Sequence, residues 1–477
     1  MKSFLSTINY YKVFLFALIA FVISINGWSL WLDESSTAFF AQLPDIGSFF
    51  KTISNWSGSE SQMPCYVFSE FLWAKLFGSS EYALRSLNIV FILFYLFYFI
   101  WLYKRNDIEG SDKNKIQIFV LLTSISPFIL YNMNEARVNI ALFVFGTICM
   151  ASLYAYCKYE NIRDWIFCLV CLVIGFSFNL LFFVIGVPLI ILALNHNKRF
   201  IFEHWKSICI CLVPLLIVGA YYLNTLLHGS GGMREKPGIA NIAYAIYEFT
   251  GFGGVFLPKN DLRTGGDILG SIKPYIIPTI LLVIAYICLV VSYIKSKCNV
   301  KPLILFVISF IAFVIVAYIA NFRFWGRHLF MLYPIFVYTL ADAITVIWTK
   351  KKLKWCVCFY VLILLVASVR IISMDCYKKE NIKAAIEYCN KYNNDKEPVY
   401  YFGFSKLADY YHLNNYKNYD DVTETTEGIM LYHNNMDVFF SNGSYKGLNP
   451  LMNKDIFTTQ IIWEDRDSKL LKFYPKR

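Results

Sequence analysis

Two adjacent acids, Asp33 and Glu34, stand directly after the first long apolar run of the chain, which covers Val13 to Ile25. A carboxylate held at a membrane boundary and partly shielded from water is suited to act as a general base. Acids at exposed helix ends are also common without any function, so both interpretations are open for an isolated pair. The following segment favours catalysis, because residues 35–81 are too aromatic to float in water and should form short amphipathic helices on the membrane surface.

A second polar group lies in a short turn between two apolar runs, where Tyr131, Glu135 and Arg137 occur close together. An ionisable pair at the end of a span is costly unless it is functional or reaches the interface. Arginine grips a phosphate with two parallel hydrogen bonds, so Arg137 is a candidate phosphate ligand. A helix-capping ion pair would explain the same residues equally well.

A third group precedes a late apolar run, where Arg323, Arg327 and His328 surround two aromatic residues. Basic residues are disfavoured on the outer side of a membrane, so their presence here requires a partner. An anionic lipid head group would satisfy them. The alternative is a basic flank that simply ends a span.

A glycine-rich aromatic loop runs from Tyr247 and Glu248 to Pro258 and is followed by Arg263. Glycine allows the backbone to approach a ligand closely, and Arg263 is a further candidate for phosphate binding. Many flexible loops are glycine-rich without binding anything, so this pattern is weak when it is taken alone.

Composition indicates that membrane helices position these residues. The 477 residues are 57% hydrophobic and only 16% charged, with a mean hydropathy of +0.48, whereas soluble domains are about a quarter charged. The net charge of +11 does not indicate nucleic acid binding, because lysine and arginine cluster in short loops. Eleven apolar runs are candidate spans, near residues 12–28, 82–103, 116–131, 138–157, 165–179, 181–195, 207–224, 274–294, 302–320, 328–348 and 355–372.

The distribution of basic residues predicts the orientation. Lysine and arginine fill alternate loops, which places the N-terminus in the cytoplasm and the C-terminus outside, in what we expect to be a bacterial inner membrane. The predicted transmembrane module is residues 1–372, with long outer loops at 29–81 and 225–273. The short fifth and sixth runs adjoin at Asn179 and could form one broken or re-entrant pair.

The tail, residues 373–477, has the polarity of a soluble protein. We expect a small α+β domain outside the membrane, with a helix over Lys379–Tyr392 and strands over Pro398–Phe404 and within Phe457–Phe473. The sequence shows no paired CxxC motifs of a zinc site. A disulfide among the outer cysteines is left open, since no spacing rule supports one.

Taken together, these residues resemble the GT-C superfamily of integral-membrane glycosyltransferases. The resemblance is to the group of protein O-mannosyltransferases and the bacterial lipid A aminoarabinose transferase, and it covers roughly residues 10–380. That group has an acidic pair in the first outer loop, an Asn/Gln-Glu-Ala-Arg turn and a late Arg-His or Arg-Tyr pair. The matching positions here are Asp33-Glu34, a stretch over Trp73–Arg85, the turn Asn134–Arg137, and Arg327-His328 followed by Pro334.

The resemblance implies a mainly α fold and transfer of a sugar from a polyprenyl-phosphate carrier, with inversion, to a glycan, lipid or protein acceptor. It implies that Asp33 is the base, that Glu34 supports it, and that no metal or other cofactor takes part. The implied phosphate ligands are Arg137, Arg327, His328 and Arg263. The implied supporting residues are Glu135, Tyr131, Tyr247 and Glu248.

Two other classes of protein share some of these sequence features with a transferase. A lipid-linked sugar flippase or transporter would carry ionisable groups near the bilayer midplane, whereas the apolar runs here are nearly free of charge at mid-depth. A sensor or assembly protein would leave Asp33, Arg137 and Arg327 without a purpose.

Overall fold

A bundle of apolar helices makes up most of the computed structural model, which describes residues 9–227, 235–258, 262, 272–350, 352–393, 397–403, 405–433, 448–451, 453–465 and 468–476. Within these residues, seventeen α-helices precede the C-terminal domain. They are α1 Tyr10–Ser24, α2 Leu32–Gln42, α3 Ile46–Ser54, α4 Pro64–Phe77, α5 Glu81–Lys104, α6 Gly110–Ser124, α7 Pro127–Met133, α8 Asn139–Tyr159, α9 Ile162–Phe178, α10 Gly186–His196, α11 Phe200–Glu203, α12 Trp205–Leu227, α13 Ile239–Phe249, α14 Ile276–Lys295, α15 Lys301–Ile319, α16 Tyr333–Trp348 and α17 Lys354–Ser373.

The predicted helical membrane architecture is confirmed, and each of the predicted apolar runs falls on helical structure. Six helices of the described chain are individually long and apolar enough to cross a membrane. They are α5, α8, α12, α14 extended to Lys273, α15 and α17. Three shorter apolar helices, Tyr10–Ser24, Leu180–His196 and Tyr333–Trp348, accompany them, so the count of eleven spans stays a prediction.

One helix break was not predicted. The run over 116–131 is divided into α6 and α7, which meet at an angle of 59°. Pro127 cannot donate a backbone hydrogen bond to the preceding turn, and Ser126 begins the new helix by accepting a hydrogen bond from the amide of Ile129 at 3.3 Å. The bend places the turn with Glu135 and Arg137 at the end of the bundle where α2 lies.

The helices differ in how much of their apolar surface is covered. Helix α8 lies at the centre, with 78% of its most apolar stretch buried, and it packs against α9 and α5. Helix α12 lies at the periphery, where only 17% is buried and residues such as Ile210 and Leu216 are exposed. Lipid must cover this surface, because a soluble protein would not expose so large an apolar area.

The segment predicted as the first outer loop, residues 29–81, contains the helices α2, α3 and α4, and its place on the membrane surface stays a prediction. They are held by aromatic contacts, with Phe40 against Phe49 and Trp56 at ring-centroid distances of 5.6 and 4.9 Å. Asp45 caps α3 by accepting a hydrogen bond from the amide of Ser48 at 2.8 Å. This packed loop gives α2 a fixed position at the end of the bundle.

The C-terminal domain is a small α+β unit, as the sequence predicts. Its elements are α18 Ile382–Asn393, β1 Val399–Phe402, α19 Ser405–Tyr410, β2 Tyr416–Asn418, β3 Gly428–His433, β4 Phe457–Glu464 and β5 Ser468–Pro475. The five strands form one sheet in the order β2-β1-β3-β5-β4. Strand β1 pairs in parallel with β2 and β3, and β5 pairs in antiparallel fashion with β3 and β4. Helix α19 packs against α2, so the domain rests directly on the loop that carries the acidic pair.

Candidate active site

The acidic pair lies in the first turn of α2, where the positive end of the helix dipole favours carboxylates. Successive side chains on a helix point in different directions, and the two acids accordingly lie in different environments. Glu34 is fully buried, whereas the side chain of Asp33 keeps 27% of its surface exposed. The carboxylate of Asp33 is therefore accessible from outside the protein, whereas that of Glu34 is not.

Glu34 is the centre of a buried ion network. Arg85 in the first part of α5 contacts both of its carboxylate oxygens, with Nε at 3.0 Å and Nη2 at 2.8 Å. The amide of Ala136 donates to the same carboxylate at 2.7 Å, and Lys379 Nζ lies 3.3 Å away. Burial raises the pKa of Glu34, but Arg85 and Lys379 outweigh burial and lower the pKa to about 2.

This network ties separate parts of the chain together. Arg85 also donates to the backbone carbonyls of Trp28 and Ser29 at 2.7 and 3.1 Å, which fixes the segment that leads into α2. Glu34 is thus enclosed by protein groups. Its position fits the supporting role that the resemblance implies.

Asp33 faces a more open part of the site and pairs with Arg327. Their side chains meet at 2.5 Å, with 27% and 19% of their surfaces exposed. The guanidinium of Arg327 also lies over the Trp31 ring, 4.9 Å from its centroid. The structure therefore brings together the carboxylate predicted as the base and one of the arginines predicted to hold phosphate.

Arg137 also lies beside Asp33, but its guanidinium already donates hydrogen bonds to other groups of the protein. Its Nη1 donates to the backbone carbonyl of Asp33 at 2.9 Å and to Glu60 Oε1 at 2.7 Å. Its side chain is only 13% exposed. These contacts hold the backbone of α2 at the point where Asp33 projects, while phosphate binding by Arg137 stays a prediction.

Glu135 lies behind the acidic pair rather than at its open side. It is 2% exposed, and its carboxylate lies 3.4 Å from Lys379 Nζ and accepts from Asn139 Nδ2 at 2.9 Å. The half-buried ring of Tyr131 lies nearby, 5.7 Å from the same ammonium. Both residues support the position of Lys379.

His328 is held in the turn before α16 and is neutral. Its Nδ1 accepts a hydrogen bond from the amide of Trp325 at 2.9 Å, so the ring proton is on Nε2. Burial, followed by the nearby charge of Arg327, lowers the pKa of His328 to about 3. His328 can therefore offer a neutral N–H donor, but no positive charge, to a phosphate at neutral pH.

Residues 247–258 form one wall of the same region, but Tyr247 and Glu248 belong to the end of α13 and not to the predicted loop, which begins only after Phe249. Tyr247 donates to the carbonyl of Leu257 at 2.6 Å, which closes the loop on itself. Glu248 is 3% exposed and packs against Gly326, where an added Cβ would lie 2.4 Å from the carboxylate. The turn that carries Arg327 thus depends on a glycine at this contact. Arg263 lies outside the described residues.

Sequence reasoning missed three charged residues of the site. Arg85 and Glu60 lie 51 and 77 residues from their partners, Glu34 and Arg137. Arg85 could have been recognised, because an arginine in the first turns of an apolar helix requires a partner of opposite charge. Lys379 gave no usable signal, because it was predicted to lie on the amphipathic helix, which begins only at Ile382.

No group of three or more metal-binding side chains occurs among the residues that the structure describes. The thirteen cysteines are all in that part of the chain and are all free thiols. The expectation that no metal or other cofactor takes part stays a prediction.

The bundle of apolar helices and the small mixed-sheet domain together make up a fold that has relatives among solved structures. The fold is similar to that of ArnT from Cupriavidus metallidurans in the apo state, with a TM-score of 0.55 and 10% identity over 97% of this chain and 98% of that chain. A structure of the same ArnT bound to undecaprenyl phosphate has a TM-score of 0.46 and 11% identity over 97% of each chain. No protein-family model and no curated protein matches the sequence.

Replacing Lys379 by methionine should destabilise the protein by about 3 kcal/mol, because two buried carboxylates then lose a positive charge that neutralises them. The ammonium of Lys379 is 2% exposed between Glu34 and Glu135. Thermal unfolding of the purified protein in detergent measures the effect. Lys383→Met is the matched control, since Lys383 is 42% exposed in its pair with Glu81 and should change stability by less than about 1 kcal/mol. Equal shifts for the two variants would contradict the assignment.

Proposed function

We propose that the protein is a glycosyltransferase that moves a sugar from a polyprenyl-phosphate donor to a hydroxyl or phosphate acceptor, with inversion. The observation that carries the proposal is the pairing of Asp33 with Arg327 at 2.5 Å, in a partly exposed position next to a fully buried acid. The likeness of the fold to ArnT, an aminoarabinose transferase, supports the same reaction class.

The two side chains supply the two functions that this reaction needs. Asp33 accepts the proton of the acceptor hydroxyl as the acceptor oxygen forms its bond to the anomeric carbon. The bond from that carbon to the carrier phosphate breaks, and its electron pair leaves with the phosphate. Arg327 neutralises the charge that develops there. A phosphate needs no protonation in order to leave, so one carboxylate suffices where glycosidases use two.

The ion pair also gives an order of events. Before the donor binds, Arg327 holds the carboxylate of Asp33. The arriving phosphate competes for the same guanidinium, which can bind it through two parallel hydrogen bonds, and Arg327 then contacts the donor instead of Asp33. Asp33 is then free to meet the acceptor. The base therefore becomes available only when a carrier phosphate occupies Arg327.

The orientation of the site is also part of the proposal. Asp33, Arg137 and Arg327 lie at one end of the bundle, and the lysine-rich loops lie at the other end. The distribution of basic residues assigns the lysine-rich end to the cytoplasm, so that the site and the C-terminal domain face outward from a bacterial inner membrane. The donor is then a membrane lipid that reaches the site within the bilayer.

Arg327→Gln should weaken binding of polyprenyl phosphate by about 10- to 100-fold, because a charge-assisted contact contributes about 1.5–3 kcal/mol. The measurement is binding of polyprenyl phosphate to the purified full chain in nanodiscs. Arg323→Gln is the matched control, since Arg323 is 36% exposed and pairs with the exposed Glu235. Unchanged affinity in Arg327→Gln would remove Arg327 from the donor site.

The reaction itself is tested in cells. Mass spectrometry should show one envelope glycan, lipid or protein losing a sugar when the gene is deleted, and the wild-type gene should restore it. Under the alternative, a flippase without bond chemistry, no purified preparation would transfer sugar from a polyprenyl-phosphate donor to the acceptor found in this way. Transfer by the purified protein excludes that alternative.

A further inference from the structure

A large cavity lies at the end of the bundle opposite Asp33. Its volume is about 540 Å³, which falls within the usual range for small-molecule sites of about 300–1,000 Å³. It is enclosed by α5, α6, α8, α10, α15 and α16. Its lining includes residues of α8 between Thr147 and Tyr159 and of α16 between Pro334 and Asp342, but neither Arg137 nor Arg327. The cavity is therefore separate from the candidate active site.

The lining changes character along the cavity. Deep in the bundle it consists of apolar side chains such as Phe119, Met150 and Ile335. Towards the helix ends it carries Asp112, Asp342 and other polar groups. A ligand with an apolar chain and a polar head matches this arrangement, because each part would meet surroundings of its own kind.

The charged side chains at the polar end form ion pairs with one another. Lys115 lies 2.8 Å from one oxygen of Asp342 and 3.5 Å from Asp112. Asp112 also receives Lys158 Nζ at 2.9 Å and the hydroxyl of Tyr159 at 2.7 Å. The charges of the two lysines and the two aspartates sum to zero. Asp342 has fewer polar partners than Asp112.

One more charge lies on the rim. Lys301 begins α15, lines the cavity and is exposed. The loop before it is close to Asp342, because Cys298 Sγ contacts the carbonyl of Ala343 at 3.9 Å. A cation at the rim and a carboxylate just inside it form a pair of opposite charges that face the same ligand.

We propose that this cavity binds an aminophospholipid such as phosphatidylethanolamine, with one acyl chain in the apolar part and the head group at the rim. Lys301 pairs with the lipid phosphate, and Asp342 pairs with the ammonium. A head group without an ammonium could pair with Lys301 but would lack the second ion pair. The proposal does not depend on any chemistry at Asp33.

The test is native mass spectrometry of the full chain released from nanodiscs made of equal amounts of phosphatidylethanolamine and phosphatidylglycerol. We expect the protein to retain phosphatidylethanolamine about tenfold over phosphatidylglycerol, which corresponds to one additional ion pair. Asp342→Asn should abolish this preference. Lys301→Glu should reduce retention of both lipids, whereas Lys295→Glu, an exposed lysine at the end of α14, should leave retention unchanged.

Filling the cavity gives a second line of test. Ala151 on α8 lines the cavity, and Ala151→Trp should eliminate lipid retention, whereas Ala151→Ser should preserve it. Equal retention of the two lipids by the wild-type protein would overturn the proposal. Displacement of the retained lipid by added polyprenyl phosphate would also overturn it, since the cavity would then hold the tail of the carrier. If Ala151→Trp does not fold, the charge variants decide the question.

Discussion

Asp33→Asn should lower the rate of sugar transfer by about 10³-fold, because general base catalysis typically contributes about 10²–10⁴-fold. Asparagine has nearly the same shape as aspartate and retains an oxygen that can accept from Arg327. It lacks the charge needed to accept the proton of the acceptor. The variant should therefore insert, fold and bind polyprenyl phosphate at least as tightly as the wild-type protein, because the neutral side chain competes less for Arg327, while single-turnover transfer nearly stops.

Asp45→Asn is the matched control for this experiment. Asp45 lies in the same outer loop and caps α3 through Ser48, but it does not contact Asp33 or Arg327. It should lower stability slightly and leave the transfer rate unchanged. Transfer at the wild-type rate by Asp33→Asn would refute the assignment of Asp33 as the base.

Glu34→Gln should destabilise the protein by about 3–5 kcal/mol, the largest stability effect that we expect from a single substitution here. The change leaves Arg85 and Lys379 buried without their shared carboxylate, and both side chains are almost completely enclosed. The midpoint of thermal unfolding in detergent should fall accordingly. Glu235→Gln is the control, since Glu235 is 58% exposed in a surface pair.

The same network predicts a dependence of stability on pH. Burial opposes ionisation of Glu34, but Arg85 and Lys379 lower its pKa from an ordinary value of 4.5 to about 2 in the folded protein. A group with a lowered folded pKa stabilises the protein fully above its unfolded pKa. That stabilisation is lost as the pH falls from about 4.5 towards about 2. The difference between wild type and Glu34→Gln should shrink across this window, and a constant difference would contradict the assigned pKa.

Much of the fold could be predicted because length and hydropathy determine it. An apolar run of about 20 residues has few alternatives to a helix that spans a membrane. Boundaries were less certain, as the break before Pro127 shows. The proline was visible in the run over 116–131, but prolines are tolerated in membrane helices, so its presence did not predict a bend of 59°.

The site was less predictable, because its contacts join distant parts of the chain. The sequence identified Asp33 and Glu34 together, but it did not tell which of them faces the protein interior. That difference depends on where α2 begins and on what packs against it. Lys379 shows the limit most clearly, since it lies 345 residues from Glu34 and becomes part of the site only through the packing of the whole bundle.

The position of Lys379 has a consequence for biosynthesis. Glu34, Arg85 and Glu135 are made early, but the lysine that joins Glu34 to Glu135 follows the last apolar helix, which ends at Ser373. A ribosome must therefore complete the entire membrane bundle before this charge can reach the two acids. Until then the growing chain carries an excess of buried negative charge beside α2. Only a chain translated past the final helix acquires the charge that joins Glu34 to Glu135.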